Sequence, residues 1–437
     1  MIKPTIHGHA GRPLMPAIAE LDPELRTNIE KTRAGLYDAR HLPGFYYTSQ
    51  EIFEREIDTI FMREWLCVGR LEEFEKPGDY AAMRIAGEPL LVCRGADGEL
   101  RAFRNLCQHR GVEVAVGEGN AKRFTCRYHA WTYATDGRLS GAPHNQEVAN
   151  FDFKSCRLPQ VNIDTWGGYI FINFDPNCRP LADCLDEDGV RDFAAFLQPE
   201  NTRTSDKFVF EVPCNWKFVP ENLMDMYHVG VIHKASFGAH FPVEDFRFNL
   251  TGNGYNAVYE ALTMAPNGVT LFGAMPWLEG KVSDKLGCTT WVRPTMNIFG
   301  RHDLIQPWVA LPIDVNRTQV TIYTQLPEQF FETPGFAEKN QIYADFIRLV
   351  ATEDEAMLES LQTGVNSRGF TPGPTVKLER AIHHLLNYYL DSLLDDDASA
   401  RERRLSEGRQ FLKESVEKHP NPIDAGYSKS FGCAHAS

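Results

Sequence analysis

The chain of 437 residues contains no apolar run approaching the roughly 18 residues that a membrane-spanning helix requires. It is also short of positive charge, with 45 Lys and Arg against 59 Asp and Glu and a formal net charge of −14. That imbalance disfavours phosphate backbones and anionic lipid surfaces, so neither nucleic acid nor a membrane is expected as a partner. The opening "MIKPTIHGHAGRPLMPAIAEL" lacks the basic and continuous apolar regions of a secretory signal, which points to the cytoplasm. No Gly-x-Gly-x-x-Gly stands between a strand and a helix, so no flavin or nicotinamide fingerprint is present. Internal repeats and low-complexity tracts are absent too. Cys67, Cys93, Cys156, Cys214 and Cys288 are scattered singly in apolar contexts and read as reduced core thiols of a reducing compartment. What is present is a hydrophobic fraction of 43%, enough at this length for two or three full-sized cores.

The pattern changes along the chain. Residues 1–64 combine a polar arm with the helical segment "SQEIFEREIDTIFMREW", in which Ile52, Phe53, Ile57, Ile60 and Phe61 share a face. From Tyr80 short strands follow one another, with turns at Gly95–Gly98 and Asp136-Gly137, which predicts a small all-β unit over 65–165. The remainder, 166–437, begins with the apolar strand "WGGYIFINFDP". It continues with a helix near 216–228, strands from about 250 to 328, a long helix from about 336 to 363 and charged helical segments over 376–418. This is α+β character, and the segment from 376 to the end, with "LLDDDASARERR", reads as solvated helical surface that could serve a subunit contact.

Two short turns in the β unit carry metal-ligand residues: Cys107-x-His109 and, after sixteen residues, Cys126-x-x-His129. Four such ligands suit a structural zinc as well as iron. Their order favours iron, because each turn supplies one thiol and one imidazole, as a two-iron cluster with thiolates on one iron and imidazoles on the other would need. Gly111, Gly117, Gly119 and Gly137 fit tight loops around it.

A second constellation, Asn222, Asp225, His228 and His233, lies in "CNWKFVPENLMDMYHVGVIH". Asp225 and His228 are three apart and can touch on a helix. Five residues turn an ideal helix by about 140°, so His228 and His233 can share a metal only if the helix ends or deforms, which is expected near Gly230. Two histidines and one carboxylate complete a facial triad. On the long helix, Phe346, Val350, Met357 and Leu361 form an apolar stripe whose missing member is Asp354, the favoured carboxylate; Glu353 and Glu355 read as solvated or flanking.

Together these motifs resemble, over most of the chain, the Rieske non-haem iron oxygenases, the terminal (α) subunits of aromatic ring-hydroxylating and demethylating systems. The resemblance implies a small all-β Rieske [2Fe–2S] domain and a larger catalytic domain, an antiparallel sheet curved around a long helix in the helix-grip, START-like manner. It implies that Cys107, His109, Cys126 and His129 hold the cluster and that His228, His233 and Asp354 hold mononuclear Fe(II). Asp225, with Asn222 beside it, would carry electrons from His129 of a neighbouring subunit to His228 in a head-to-tail homotrimer. A separate NAD(P)H-dependent reductase, directly or through a ferredoxin, would supply the electrons, and O2 the oxygen. The short Asn222-x-x-Asp225 spacing leans toward homotrimers, although a small β subunit stays open.

Hydroxylation of a small aromatic compound is the first expectation for the activity. Oxidative N- or O-dealkylation, for instance of a quaternary ammonium or methoxy compound, is the alternative within the same chemistry. A Rieske electron-transfer protein and a zinc-stabilised binding module are the alternatives from other classes. Cavity walls are sought in "SFGAHFP", "AMPWLEG", "WVRPTMNIFGRHD" and "IQPWVALP", with Phe237, Trp277, Asn297, Phe299 and His302 as lining candidates, although residues of these types are more often ordinary core. Arg293 or Arg301 could pair with a substrate carboxylate, and Trp277, Trp291 or Trp308 could face a quaternary ammonium.

Overall fold

In a computed structural model, residues 23–394 are described except 146–147, 239–246 and 252. The polar start of the N-terminal arm, residues 239–242 of "SFGAHFP" and the charged segment from 395 onward lie outside the described residues.

The first sheet joins β1 (Leu66–Arg70), β2 (Asp79–Ile85), β3 (Glu88–Arg94), β4 (Leu100–Arg104), β5 (Glu118–Asn120), β9 (Gln160–Trp166) and β10 (Tyr169–Asn173) in the order β1-β10-β9-β4-β3-β2-β5. Beside it stands a three-stranded sheet of β6 (Arg123–Thr125), β7 (Thr132–Ala134) and β8 (Leu139–Gly141). The expected boundary at 165/166 falls inside the β9–β10 hairpin. Trp166 pairs with Tyr169, and β10 is buried along its whole length between β1 and β9, so the strand that reads as the start of the larger unit belongs to the smaller one.

The second sheet is antiparallel throughout, in the order β11-β17-β16-β15-β14-β13-β12. Its strands are β11 (Thr202–Val212), β12 (Arg247–Thr251), β13 (Gly254–Glu260), β14 (Leu286–Val292), β15 (Met296–Arg301), β16 (Ile305–Asp314) and β17 (Arg317–Pro327). Side-chain alternation on β15 separates two cores. Met296 and Ile298 face a cluster with Met275, Leu278 and Leu286, whereas Phe299 faces the larger core that the helices cover. Among those helices are α1 (Pro23–Thr32), α2 (Phe45–Thr48), α3 (Gln50–Glu56), α4 (Leu181–Glu187), α5 (Val190–Ala194), α6 (Phe218–Met224), α7 (Val229–Ile232), α8 (Phe336–Val365) and α9 (Arg380–Leu394).

The N-terminal helices are held by a buried polar knot. Glu56 pairs with Lys217 and accepts from Trp216 Nε1 at 2.7 Å, while the Tyr47 hydroxyl donates to Glu221 at 3.0 Å. The knot ties α2 and α3 to the chain entering α6, where the second constellation begins. α9 corrects the expectation of a solvated helix, since its residues are buried almost all round. Two of its polar side chains reach partners at the other end of the chain: Asp391 pairs with Arg33 at 2.7 Å, and His383 lies 2.9 Å from the carbonyl oxygen of Ala34. The isolated thiols are buried as expected, and burial pushes those of Cys67, Cys214 and Cys288 up to about 12.

Burial also lifts the Glu221 carboxyl to about 7, against the opposing pull of His41, Tyr47 and Lys217. A carboxyl whose folded pKa lies above its unfolded value stabilises fully below the unfolded value and loses that contribution as pH rises through the folded one. Wild type is therefore expected to lose up to about 3 kcal/mol relative to Glu221→Gln between about pH 4 and 8. Thermal melts across that range test this; parallel Tm profiles for the two proteins would contradict it.

Candidate metal and oxygenase site

The two Cys–His turns of the smaller domain are built alike. In each, the cysteine N–H donates to the carbonyl five residues on (Val112, Trp131), and the residue four on returns an N–H to the cysteine carbonyl (Gly111, Ala130). That closing residue needs a left-handed backbone, and Gly111 (φ 76°) and Ala130 (φ 55°) both adopt it. Cys107 and Cys126 are buried while His109 and His129 are exposed, their rings 4.6 Å apart between centroids. Trp131 stacks on His109 at 5.0 Å, and the Tyr133 hydroxyl lies 3.4 Å from Cys107 Sγ. Two thiols facing inward and two imidazoles facing out match a cluster with one thiolate-held iron and one imidazole-held iron.

The second constellation forms where α6 stops. The helix ends at Met224, and Asp225 is extended (φ −80°, ψ 106°), so the break comes five residues before Gly230, where it was expected. Gly230 lies inside the short α7 instead. A close backbone approach falls at Gly238, where a Cβ would stand 2.2 Å from the Val229 carbonyl oxygen. This fold-back brings His228, His233 and Asp354 together, with one ligand atom from each lying within 4.8 Å of the others. Asp354 Oδ1 is 3.0 Å from His233 Nε2 and 3.6 Å from His228 Nε2. It nevertheless has no hydrogen-bond partner, because the atoms converge without donor–acceptor alignment. A buried, unbonded carboxylate oxygen facing two imidazole nitrogens is the donor set of a facial triad.

Carboxylates behind both rings present the Nε2 atoms to that centre. His233 Nδ1 is 2.8 Å from Glu353, which also accepts from Ser236 Oγ at 2.7 Å. Burial opposes protonation of His233, but Asp354 and Glu353 outweigh it and raise its pKa. His228 Nδ1 stands 3.1 Å from Asp225 Oδ2, though off-line for a hydrogen bond, while Asp225 Oδ1 accepts from Tyr227 N at 2.7 Å. Glu353, read from the sequence as solvated or flanking, therefore orients a ring of the triad. The apolar stripe used to find Asp354 also needs correction. Met357 and Leu361 are exposed, and the buried face runs through Val350, Asp354, Leu358 and Gln362. Asp354 falls on both the expected and the observed stripe because it sits four residues from Val350.

A cavity of about 70 Å³ opens beside the triad, with Asn222 and Asp225 on its wall. Phe237 and Phe299 line it as expected, and Phe237 stacks on His233 with centroids 4.7 Å apart. Trp277 does not: it belongs to the opposite face of the second sheet, donating Nε1 to the Leu197 carbonyl at 3.1 Å. Asn297 and His302 are buried but do not border the cavity. Arg293 is held by Asp188 at 2.6 Å and Trp291 by the Pro294 carbonyl, so both are structural, whereas Arg301 and Trp308 line the cavity. Tyr259, Met264 and Gln306 line it without having been anticipated; strand register, absent from a single sequence, carries that information. A far larger cleft, of about 1020 Å³ between the two large sheets, contains none of the candidate ligands.

A family model described as "Rieske [2Fe-2S] domain" matches residues 64–152, and one described as "Ring hydroxylating alpha subunit (catalytic domain)" matches 199–395. The carnitine monooxygenase oxygenase subunit of Escherichia coli (strain K12) is 30% identical over 335 residues, 76% of this chain and 86% of the relative. The chain belongs to the Rieske non-haem iron oxygenases. The glycine betaine monooxygenase oxygenase subunit of Pseudomonas aeruginosa is 28% identical over 84% of this chain and 92% of its own length. A solved quaternary ammonium Rieske monooxygenase aligns with TM-score 0.69 and 26% identity, covering 82% of this chain and 95% of that one.

As a Rieske oxygenase, the chain is a terminal oxygenase subunit with a [2Fe–2S] cluster and a mononuclear iron, using O2 and reductase-supplied electrons. Its α+β architecture, a Rieske β domain beside a curled antiparallel sheet with helices, is that of the family. No described helix is long and apolar enough to cross a membrane.

Replacing Glu353 with Ala should free the His233 ring and weaken mononuclear iron binding by roughly 10- to 100-fold while leaving acid-labile sulfide unchanged. Iron and sulfide assays after dialysis against a chelator test this; full iron retention would contradict it.

Proposed function

We propose that this Rieske oxygenase oxidises a quaternary ammonium compound by N-dealkylation, the alternative reading of the sequence, rather than hydroxylating an aromatic one. The observation that carries this reading is the cavity wall. Phe237, Tyr259, Phe299 and Trp308 surround the space beside the triad, and aromatic faces hold a quaternary nitrogen without needing a hydrogen bond from it. A narrow space also suits a methylated head group better than a ring system. The named activities of the carnitine and glycine betaine relatives support the same choice.

Cys107, Cys126, His109 and His129 would hold the cluster, and His228, His233 and Asp354 the iron. When bound, the cluster relays single electrons and the iron activates O2. The aromatic wall positions the C–H bond next to nitrogen. One oxygen atom enters that bond, the adjacent C–N bond breaks to release an amine and an aldehyde, and the second oxygen leaves as water with two electrons and two protons. Glu353 and Asp225 keep the two imidazoles oriented throughout, and the apolar lining limits water around the reacting carbon.

Asp225 would serve a second purpose in a cytoplasmic head-to-tail homotrimer. It is partly exposed beside His228, and His129 is exposed on the other domain, so burial bars neither from a contact between subunits.

The test is anaerobic purification, metal and sulfide analysis, then turnover with a reductase, NADH and a panel of quaternary ammonium and aromatic compounds. Coupled release of amine and aldehyde is expected, and phenol or diol products instead would overturn the substrate reading. Asp225→Ala should keep about three irons and two sulfides per chain but lose roughly 100-fold in product formation. Near-normal turnover in that variant would remove Asp225 from the electron route.

A further inference from the structure

The cavity wall contains a cation, Arg301, that no carboxylate among the described residues balances. Arg301, at the end of β15, is 4% exposed, and no carboxylate of the described residues lies within ion-pair distance of it. Its placement is built by the sheet. Tyr259, Gly287 and Arg301 lie in one cross-strand row, and Gly287 has no side chain between the other two. A Cβ there would stand 2.5 Å from the Tyr259 ring. The tyrosine therefore lies over the glycine and accepts a hydrogen bond from an Arg301 terminal nitrogen at 3.1 Å. The same nitrogen donates to the Gly300 carbonyl at 3.2 Å, but Nε has no acceptor. On the neighbouring strand Gln306, paired with Phe299 and 2% exposed, has an amide nitrogen that also lacks an acceptor. Both side chains line the cavity that contains the triad.

Two buried donors without acceptors, one of them a full positive charge, are costly unless a ligand completes them. Arg301 would also repel a substrate that carried only a quaternary nitrogen into the same small space. A carboxylate on the substrate removes both penalties. We propose that Arg301 and Gln306 form a carboxylate-anchoring subsite, and that the substrate is a zwitterion. Its carboxylate is held at the β15–β16 end and its alkylated nitrogen lies among the aromatic side chains beside the triad. The ammonium half of this inference rests on the proposed function; the carboxylate half does not. Arg301 and Gln306 set which substrate enters and in which direction it lies.

Calorimetric titration of the oxidised holoenzyme tests the subsite without turnover. The ligands are glycine betaine, carnitine, the methyl ester of glycine betaine, choline, and benzoate as a carboxylate lacking the ammonium group. Wild type is expected to bind a zwitterion roughly 10- to 100-fold more tightly than the ester or choline. Arg301→Gln should abolish that gap, with choline binding equally well or better once the repelling charge is gone. Gln306→Leu, a milder change within a strand, should narrow it. If wild type binds the ester as tightly as the acid, or binds no carboxylate of the panel, the anchor is refuted without any variant; a gap that survives in folded Arg301→Gln refutes it as well. Arg301-dependent binding of benzoate with no binding of any ammonium compound would keep the anchor and overturn the proposed substrate class. Equal binding of acid and ester would do the reverse.

Discussion

A carboxylate oxygen buried without a hydrogen bond is the constraint around which the catalytic domain is arranged. Asp354 sits on the inner face of the 30-residue helix α8, between Val350 and Leu358. An apolar residue there would pack at no cost, whereas an ionised one needs a cation or several donors. The fold supplies two imidazole nitrogens at 3.0 and 3.6 Å that approach the oxygen without bonding it. Such an arrangement makes sense when a cation lies between them. The elements nearby serve that meeting: α6 stops at Met224, α7 turns back, Gly238 admits the close crossing, and Glu353 and Asp225 stand behind the rings.

Support for the meeting comes from distant parts of the chain. The Glu56–Lys217 pair and the Tyr47–Glu221 contact join the N-terminal helices to the segment that carries the histidines. Buried ion pairs of this kind contribute little net stability, but breaking one partner is expensive, so they specify a single docking of the arm. The second sheet divides two cores, and its strand register decides which aromatic residues reach the cavity. Phe299 does so while Ile298, one residue away, packs on the opposite side. Arg301 follows Phe299 by two and shares its face, which is how the strand comes to carry a charge into the space that Phe237, Tyr259, Phe299 and Trp308 border.

Several readings failed for identifiable physical reasons. Glu353 reads as solvated or flanking because helical periodicity locates a residue on a helix but not the loop that packs against its flank; Ser236 and His233 are that loop. Trp277 resembled Trp308 in composition and context, yet its strand connection carries it to the far side of the sheet. The charges of "LLDDDASARERR" point to solvent, but the preceding α9 is rich in leucine and tyrosine, and its Asp391 and His383 find partners more than 300 residues away. The break after Met224 was expected five residues late, since glycine marks where a helix can bend and not where packing requires it to.

The candidate ligands, by contrast, are legible in local residue patterns. Two Cys–His turns, two histidines behind an aspartate, and a carboxylate one helical turn from the buried Val350 are local patterns, and metal chemistry restricts which residue types can satisfy them. The sequence by itself therefore determined the family, the cofactors and the residues proposed to hold them. Only the tertiary structure decided which carboxylate stands behind His233, which aromatic residues border the cavity and that Arg301 lines it with no ion pair among the described residues. Those depend on strand register and on contacts between residues far apart in the chain, and a side chain's neighbours across a sheet are set by how the whole chain packs rather than by the residues beside it.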